Sequence, residues 1–453
     1  MKIVIAGAGR IGYSIAHELS KEDLDITVID IDEENIKKIS NNLDVQTVLG
    51  NAASYDTLKD AVLEDTDLLI AVTQEDEINL LCCLVARKLG ATHTIARVRK
   101  SDYYSQTNFL KDELGLSMTI NPEEETAKEI SRMLRVPHAT KVGPFAHSKA
   151  ESIEIKVAED SKLNNLTLPD LRRKYGNVLV CAVSRDKKII IPRGDFVIKA
   201  GDRLNIVGAN RDINHFINMI YGDKRVVKNV LVLGGGNIAF YLAKQLEGSK
   251  LSLKVIERKK NVCTMLKETF PKITVVYGNG NNPELLDEEG VNVSDAFVAI
   301  TGDDDDNVIS SMFAMSCGVK KVITKIQESY IVRMLAGNSL DSIVQPSSIA
   351  TQRIVRYVRS MQNAYDSTIE ALYYMFERNV EIIEIKINNS FRFEGVPLKD
   401  LDVSHNAIVA SIIHNGRCII PTGDNVITAG DSVIIATTRK GVLTLDDVVE
   451  AKQ

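Results

Sequence analysis

Apolar positions along this chain fall into two alternating rhythms. The run Lys2-Ile3-Val4-Ile5-Ala6 is continuously apolar after its first residue and is closed by glycines, the pattern of a strand buried on both faces. Beyond the glycines, Ile11, Ile15 and Leu19 recur every four residues and predict one face of a helix. The alternation continues through a strand at 26–30, a helix at 33–40, strands at 45–49 and 68–72, a helix at 77–89 and a strand at 94–98. Such an order predicts an α/β domain with a doubly wound parallel sheet. A strand at 117–120 and a helix at 123–134 follow, and Val136-Pro137 and Gly143-Pro144 then read as chain breaks.

The rhythm changes at about 148. Short β-rich runs at 153–157, 178–183, 189–191 and 203–207, separated by Pro, Gly and Asp turns, predict a small α+β module. An amphipathic segment at 210–221 then reads as a bridge to a second unit, which repeats the whole order. The expected domains are 1–122 and 226–346 (doubly wound), 148–222 and 378–453 (small modules), a crossover helix and linker at 123–147, and crossover helices at 347–377.

The repeat is visible residue by residue. Gly7, Gly9 and Gly12 stand 227 residues before Gly234, Gly236 and Ala239, and Asp30 stands 227 residues before Glu257. Gly50-Asn51 recurs as Gly278-Asn279, and Thr73, Asp76 and Asn79 recur as Thr301, Asp304 and Asn307. Pro192-Arg193-Gly194-Asp195 returns as Pro421-Thr422-Gly423-Asp424. The chain is a tandem duplication, and each half carries a Gly-rich turn between a strand and a helix.

That turn has a chemical purpose. The first helix of a βαβ unit presents unpaired backbone N–H groups and a partial positive charge at its N-terminus, where a dinucleotide pyrophosphate can sit. Gly7 permits the tight turn, Gly9 the close approach of the ligand, and Gly12 the packing of helix on strand. The acid 18 residues beyond Gly12, Asp30, ends the second strand, where it can accept hydrogen bonds from both ribose hydroxyls and would repel a 2′-phosphate. The first unit is therefore expected to prefer NAD(H) over NADP(H). Glu257 has the same placement, but Arg258-Lys259-Lys260 follows it and either tolerates an extra phosphate or faces water. Arg10 lies inside the first turn and Asn237 inside the second, so the sites are expected to differ in ligand preference. Thr73 and Gln74, just beyond the fourth strand, are candidates for adenine or ribose contact, with ordinary turn chemistry the alternative for Thr73. Arg97 can reach the nucleotide from the far side, and Asp76 reads as a helix N-cap. Thr301-Gly302-Asp303-Asp304-Asp305-Asp306 resembles a metal loop, but no EF-hand spacing follows, and it reads as a solvated helix start.

Composition narrows the function classes. The 453 residues are 44% hydrophobic and 26% charged, and no apolar run approaches the ~18 residues of a membrane span. With 55 basic and 61 acidic residues there is no basic stripe for nucleic acid. Six cysteines, none in C-x-x-C spacing, and a start directly in a strand pattern point to a reduced, cytoplasmic protein. The chain holds no H-E-x-x-H, G-x-S-x-G or Walker sequence, and its seven histidines show no metal-ligand spacing. A catalytic residue is not expected; an NAD-dependent oxidoreductase with its substrate site between units is the alternative.

Gly7-Ala8-Gly9-Arg10-Ile11-Gly12, Asp30, Ala71-Val72-Thr73, Ile95-Ala96-Arg97-Val98-Arg99, Pro192 with Gly194-Asp195, and Ala200-Gly201-Asp202 together resemble the TrkA family of peripheral potassium-uptake regulators. The resemblance implies two RCK units, each a Rossmann domain plus a small C-terminal module, in a homo-tetrameric ring. The ring would lie on the inner face of the cell membrane and gate a TrkH- or TrkG-type potassium-translocating subunit according to bound NAD(H) or adenine nucleotide (ATP or ADP). It places nucleotide contacts on Gly7, Ala8, Gly9, Arg10, Ile11, Asp30, Asn51, Thr73, Gln74 and Arg97, and on Gly234, Gly235, Gly236, Asn237, Ile238, Glu257 and Thr301. Two positions depart from the family pattern: Gly50-Asn51-Ala52 lacks the Asp or His often found there, and Lys325 stands where Arg97 maps.

Overall fold

The computed structural model describes residues 1–61, 65–100, 103, 107–145, 149–222, 227–335, 340, 342–362, 368–376 and 378–451. The chain divides into two compact units, residues 1–126 with 345–355, and residues 127–344 with 356–453.

The first unit is built on a wholly parallel six-stranded sheet. In space its strands run Gln46–Leu49, Asp25–Asp30, Lys2–Ala6, Leu68–Ala71, His93–Arg97 and Met118–Ile120, the order 3-2-1-4-5-6. Strand order reverses between Lys2–Ala6 and Leu68–Ala71, which opens a crevice at the carboxyl ends of those strands. The helix Arg10–Leu19 buries Gly12, Ile15, Ala16 and Leu19, the face its spacing predicts. Cys82 and Cys83 are buried in the core beside Leu69, Ala71 and Ala96, and burial pushes the Cys82 thiol up to about 12. They are packing residues.

The second unit contains the repeat of that sheet, Thr274–Tyr277, Ser252–Glu257, Asn229–Leu233, Ala296–Ala299, Lys321–Lys325 and Ile343–Val344, in the same parallel order. It also contains two five-stranded antiparallel sheets. One runs Lys188–Ile190, Val178–Arg185, Arg203–Ala209, Ala150–Lys156 and Lys141–Phe145; the other runs Thr368–Met375, Val380–Lys386, Ser432–Thr437, Ala407–His414 and Arg417–Ile419.

Gly143-Pro144 does not break the chain but lies in Lys141–Phe145, an edge strand, where a residue without an N–H is tolerated. The helix Asn210–Tyr221 is no bridge: Ile213, Phe216, Ile217 and Ile220 belong to the core of the first small module. Residues 347–377, expected as helices, hold part of the helix Pro346–Gln362 and then the strand Thr368–Met375. In the second small module no helix matches Asn210–Tyr221; a short 3₁₀ turn, Leu445–Asp447, and the strand Val449–Ala451 stand there.

The two small modules pair within one chain. Phe145, Ala150, Cys181 and Val207 of the first share a buried core with Met375, Phe376, Ile382, Ala410 and Ile434 of the second. Glu154, fully buried, accepts from Arg203 Nε at 3.0 Å and from Thr140 Oγ1 at 3.0 Å, and faces the Phe376 N–H at 3.5 Å. Burial alone would push this carboxyl up, but Arg203, Lys141 and Thr140 together outweigh it and hold it below its usual value. A cleft of about 750 Å³ lies between the modules, with Leu168, Arg172, Val180, Arg193, Leu401 and Val409 in its walls.

Candidate nucleotide sites

The Gly-rich turns have the backbone their sequence demands. Gly7 has φ +106°, and a Cβ there would stand 2.9 Å from Thr73 N; Gly234 has φ +101° and crowds Thr301 in the same way. Gly9 differs. Its φ of −64° and ψ of −170° suit any residue, and a Cβ there meets nothing within 4 Å. Gly236 repeats this at φ −69° and ψ −167°. At both positions no atom of the described residues excludes a side chain, which leaves the space in front of the turn open for a ligand. The helices Arg10–Leu19 and Asn237–Leu246 have no side-chain cap on their N-termini, which leaves backbone N–H groups there for an anion.

A carboxylate closes each turn. Asp30 Oδ2 accepts from Ala8 N at 2.5 Å and Oδ1 from Asp32 N at 2.8 Å. Glu257 Oε2 accepts from Gly235 N at 2.7 Å and Oε1 from Lys259 N at 2.7 Å. Both acids are half-buried at strand ends, facing the crevice. Arg10 and Asn237 are exposed at the helix starts, and Ile238 is buried while Ile11 is half-buried. Asn51 is exposed and folds its Oδ1 back onto Ala53 N at 2.9 Å, so its side chain braces its own turn.

Thr73 and Arg97 are held by a residue that motif reading did not assign to the site. Asn79, fully buried, accepts at Oδ1 from Thr73 N at 2.8 Å and from Thr73 Oγ1 at 2.7 Å, and donates from Nδ2 to Arg97 O at 3.0 Å. Arg97 Nη1 donates to Thr73 O at 3.3 Å, and burial, reinforced by Arg99, lowers the pKa of its guanidinium. Asp76 does not cap its helix, whose N-cap is Glu75; it is buried and accepts from Arg99 N at 2.8 Å and Lys100 N at 2.7 Å. Gln74 is exposed, and its carbonyl accepts from Arg99 Nη2. The second unit repeats the clamp: Asn307 accepts from Thr301 N at 2.8 Å and donates to Lys325 O at 3.1 Å, while Lys325 Nζ donates to Thr301 O. The recurrence of Thr, Asp and Asn at fixed spacing was the signal for this clamp. Asp303 caps its helix by accepting from Asp305 N and Asp306 N, the helix-start role read for that acidic run.

Two family models cover most of the chain. The TrkA-N domain matches residues 3–122 and 230–346, and the TrkA-C domain matches 153–221 and 382–449. The chain belongs to the TrkA family. A "Trk system potassium uptake protein TrkA homolog" of Archaeoglobus fulgidus is 33% identical over 94% of this chain and 94% of its own length. "Trk system potassium uptake protein TrkA homolog 2" of Methanosarcina mazei is 32% identical over 98% and 99%. Among solved structures, the GsuK RCK domain (15% identity, TM-score 0.62, 97% of this chain and 92% of that one) and the GsuK channel bound to NAD (15%, 0.62, 99% and 78%) share the fold. The chain thus carries two TrkA-N domains, each on a parallel Rossmann-type sheet, and two TrkA-C domains, and it shares the fold of the GsuK RCK domain. Among the described residues no helix is long and apolar enough to cross a membrane, and no cluster of His, Cys, Asp and Glu is arranged to hold a metal.

Proposed function

We propose that this chain is the cytoplasmic, nucleotide-sensing regulatory subunit of a Trk-type potassium uptake system and not an enzyme. The observation that carries this reading is the pair of uncapped helix N-termini, each with an open approach at Gly9 or Gly236 and a facing carboxylate, in a family whose relatives are named Trk system potassium uptake proteins. Pyrophosphate sits against the backbone of Gly7–Ile11 and of Gly234–Ile238, and the ribose hydroxyls meet Asp30 or Glu257. Thr73, Gln74, Arg97 and Asn51 in the first unit, and Thr301 in the second, line the rest of each crevice. The ligand is NAD(H) or an adenine nucleotide such as ATP or ADP. A GsuK channel has been solved with NAD and another with ADP, which supports this ligand class for the fold.

The regulated partner is a TrkH- or TrkG-type membrane subunit, met by a homo-tetrameric ring on the inner face of the cell membrane. Gating follows if the nucleotide binds one arrangement of the ring more tightly than another, since a ligand of equal affinity for both shifts nothing. Native mass spectrometry of the purified chain tests the ligand and the assembly together. The reading expects a tetramer retaining an adenine nucleotide or dinucleotide. A monomer that retains and binds neither, or a substrate-dependent change at the nicotinamide absorbance band, contradicts it.

A further inference from the structure

The two sites carry opposite charge around the same carboxylate. In the first, Asp30 is followed by Ile31, Asp32, Glu33 and Glu34, so residues 30–34 hold four carboxylates and no cation. In the second, Glu257 is followed by Arg258, Lys259, Lys260 and Asn261, so residues 257–261 hold one carboxylate and three cations. All of Asp32, Glu33, Glu34, Arg258, Lys259 and Lys260 are exposed. Backbone geometry fixes them to the site: Asp32 N donates to Asp30 at 2.8 Å, and Lys259 N donates to Glu257 at 2.7 Å, so each run curls directly around the acid. Asp32 then uses its own carboxylate to cap Glu34 N at 2.9 Å, whereas Lys259 is an N-cap without a side-chain bond. Within the glycine turn the difference reverses, with Arg10 in the first and Asn237 in the second.

We propose that the two sites of one chain select in opposite senses: the first takes an adenine dinucleotide with a free 2′-hydroxyl, and the second takes its 2′-phosphorylated form. This rests on the nucleotide reading of both sites. A 2′-phosphate adds nearly two negative charges and three acceptor oxygens at the ribose, where Arg258 can pair with it bidentately while stacking on the adenine face. Ile31 occupies the Arg258 position in the first site, is 75% exposed, and offers only an apolar face. Four carboxylates beside a 2′-phosphate repel it. In the second site Glu257 is one acid among three cations.

The test uses the full chain with one site closed at a time, by Gly9→Val or Gly236→Val, and titrates each with NAD⁺ and NADP⁺ by calorimetry. With only the second site open, NADP⁺ is expected to bind at least fivefold tighter than NAD⁺, and that preference shrinks as salt rises. With only the first site open, NAD⁺ is expected to win by at least tenfold. Reversing the run (Arg258→Glu, Lys259→Glu, Lys260→Glu) in the second-site chain is expected to weaken NADP⁺ at least tenfold and to leave NAD⁺ within about twofold. A second site that prefers NAD⁺, or an NADP⁺ preference that survives the reversal, overturns the proposal while leaving the nucleotide reading intact. Binding of neither dinucleotide to either chain, both showing the wild-type melting temperature, overturns the nucleotide reading and this proposal with it.

Discussion

Glu257 occupies the space that Gly235 leaves. A Cβ on Gly235 would stand 3.0 Å from both Cβ and Cγ of Glu257, and 3.0 Å from Leu266 Cδ1. In the first unit the same position is Ala8 and the acid is the shorter Asp30. Both carboxylates nevertheless end on the N–H of that position, at 2.5 and 2.7 Å. Ala with Asp and Gly with Glu are two solutions to one geometry, in which the extra methylene of the acid replaces the methyl of the turn.

Gly235→Ala is therefore expected to destabilise the chain by about 1–2 kcal/mol through overpacking. Adding Glu257→Asp should restore most of the loss, because the pair then matches Ala8 and Asp30. Denaturant midpoints of the two single variants and the double variant give the coupling; additive effects would mean that the two residues do not share this space.

The glycines of the first turn should separate cleanly. Gly9→Val is expected to keep the wild-type melting temperature and lose nucleotide binding at the first site, since its side chain enters open space. Gly12→Val should destabilise the fold itself, because a Cβ there lies 1.8 Å from Gly7 O. Thermal melts with and without nucleotide check both.

Asn79→Ala removes four hydrogen bonds made by a fully buried amide. A loss of about 1–3 kcal/mol is expected, since the part-buried Thr73 N–H and Arg97 carbonyl lose this partner. Asn79→Asp should rescue only the bonds that Oδ1 accepts. Equal stability of wild type and Asn79→Ala in urea titration would remove the clamp from the account.

The buried Glu154 predicts an acid dependence. Its folded pKa is depressed from 4.5, so its contribution is present at neutral pH and is lost as pH falls below about 4.5 through the folded value. Glu154→Gln should cost about 3 kcal/mol at pH 7, the scale of breaking a buried pair. The gap between variant and wild type should narrow toward pH 3.5. A pH-independent gap would point to packing alone.

The sheet order and both glycine turns were legible because their signals are local and doubled. A strand, a glycine turn and an acid recur at fixed spacing in both halves, whereas Asn79, read only as part of a repeat, showed no role until its bonds to Thr73 and Arg97 placed it. What escaped was set by tertiary context. Tyr55–Ala61 is a helix of seven residues, too short for a periodic signal. Thr368–Met375 reads Thr-Ile-Glu-Ala-Leu-Tyr-Tyr-Met, rich in helix formers, and becomes a strand because it pairs with Val380–Lys386. Pro144 is acceptable only because its strand lies at a sheet edge, which no local pattern discloses.

The central claim is that nucleotide bound at these turns controls potassium movement through a membrane partner. The most direct test is potassium flux in vesicles holding a TrkH- or TrkG-type subunit and this chain, with and without NAD(H) or ATP, for wild type and for Gly9→Val with Gly236→Val. The account predicts flux that depends on nucleotide with wild type and loses that dependence in the double variant, while the variant keeps its wild-type melting temperature. Flux that responds to nucleotide equally in both would contradict it.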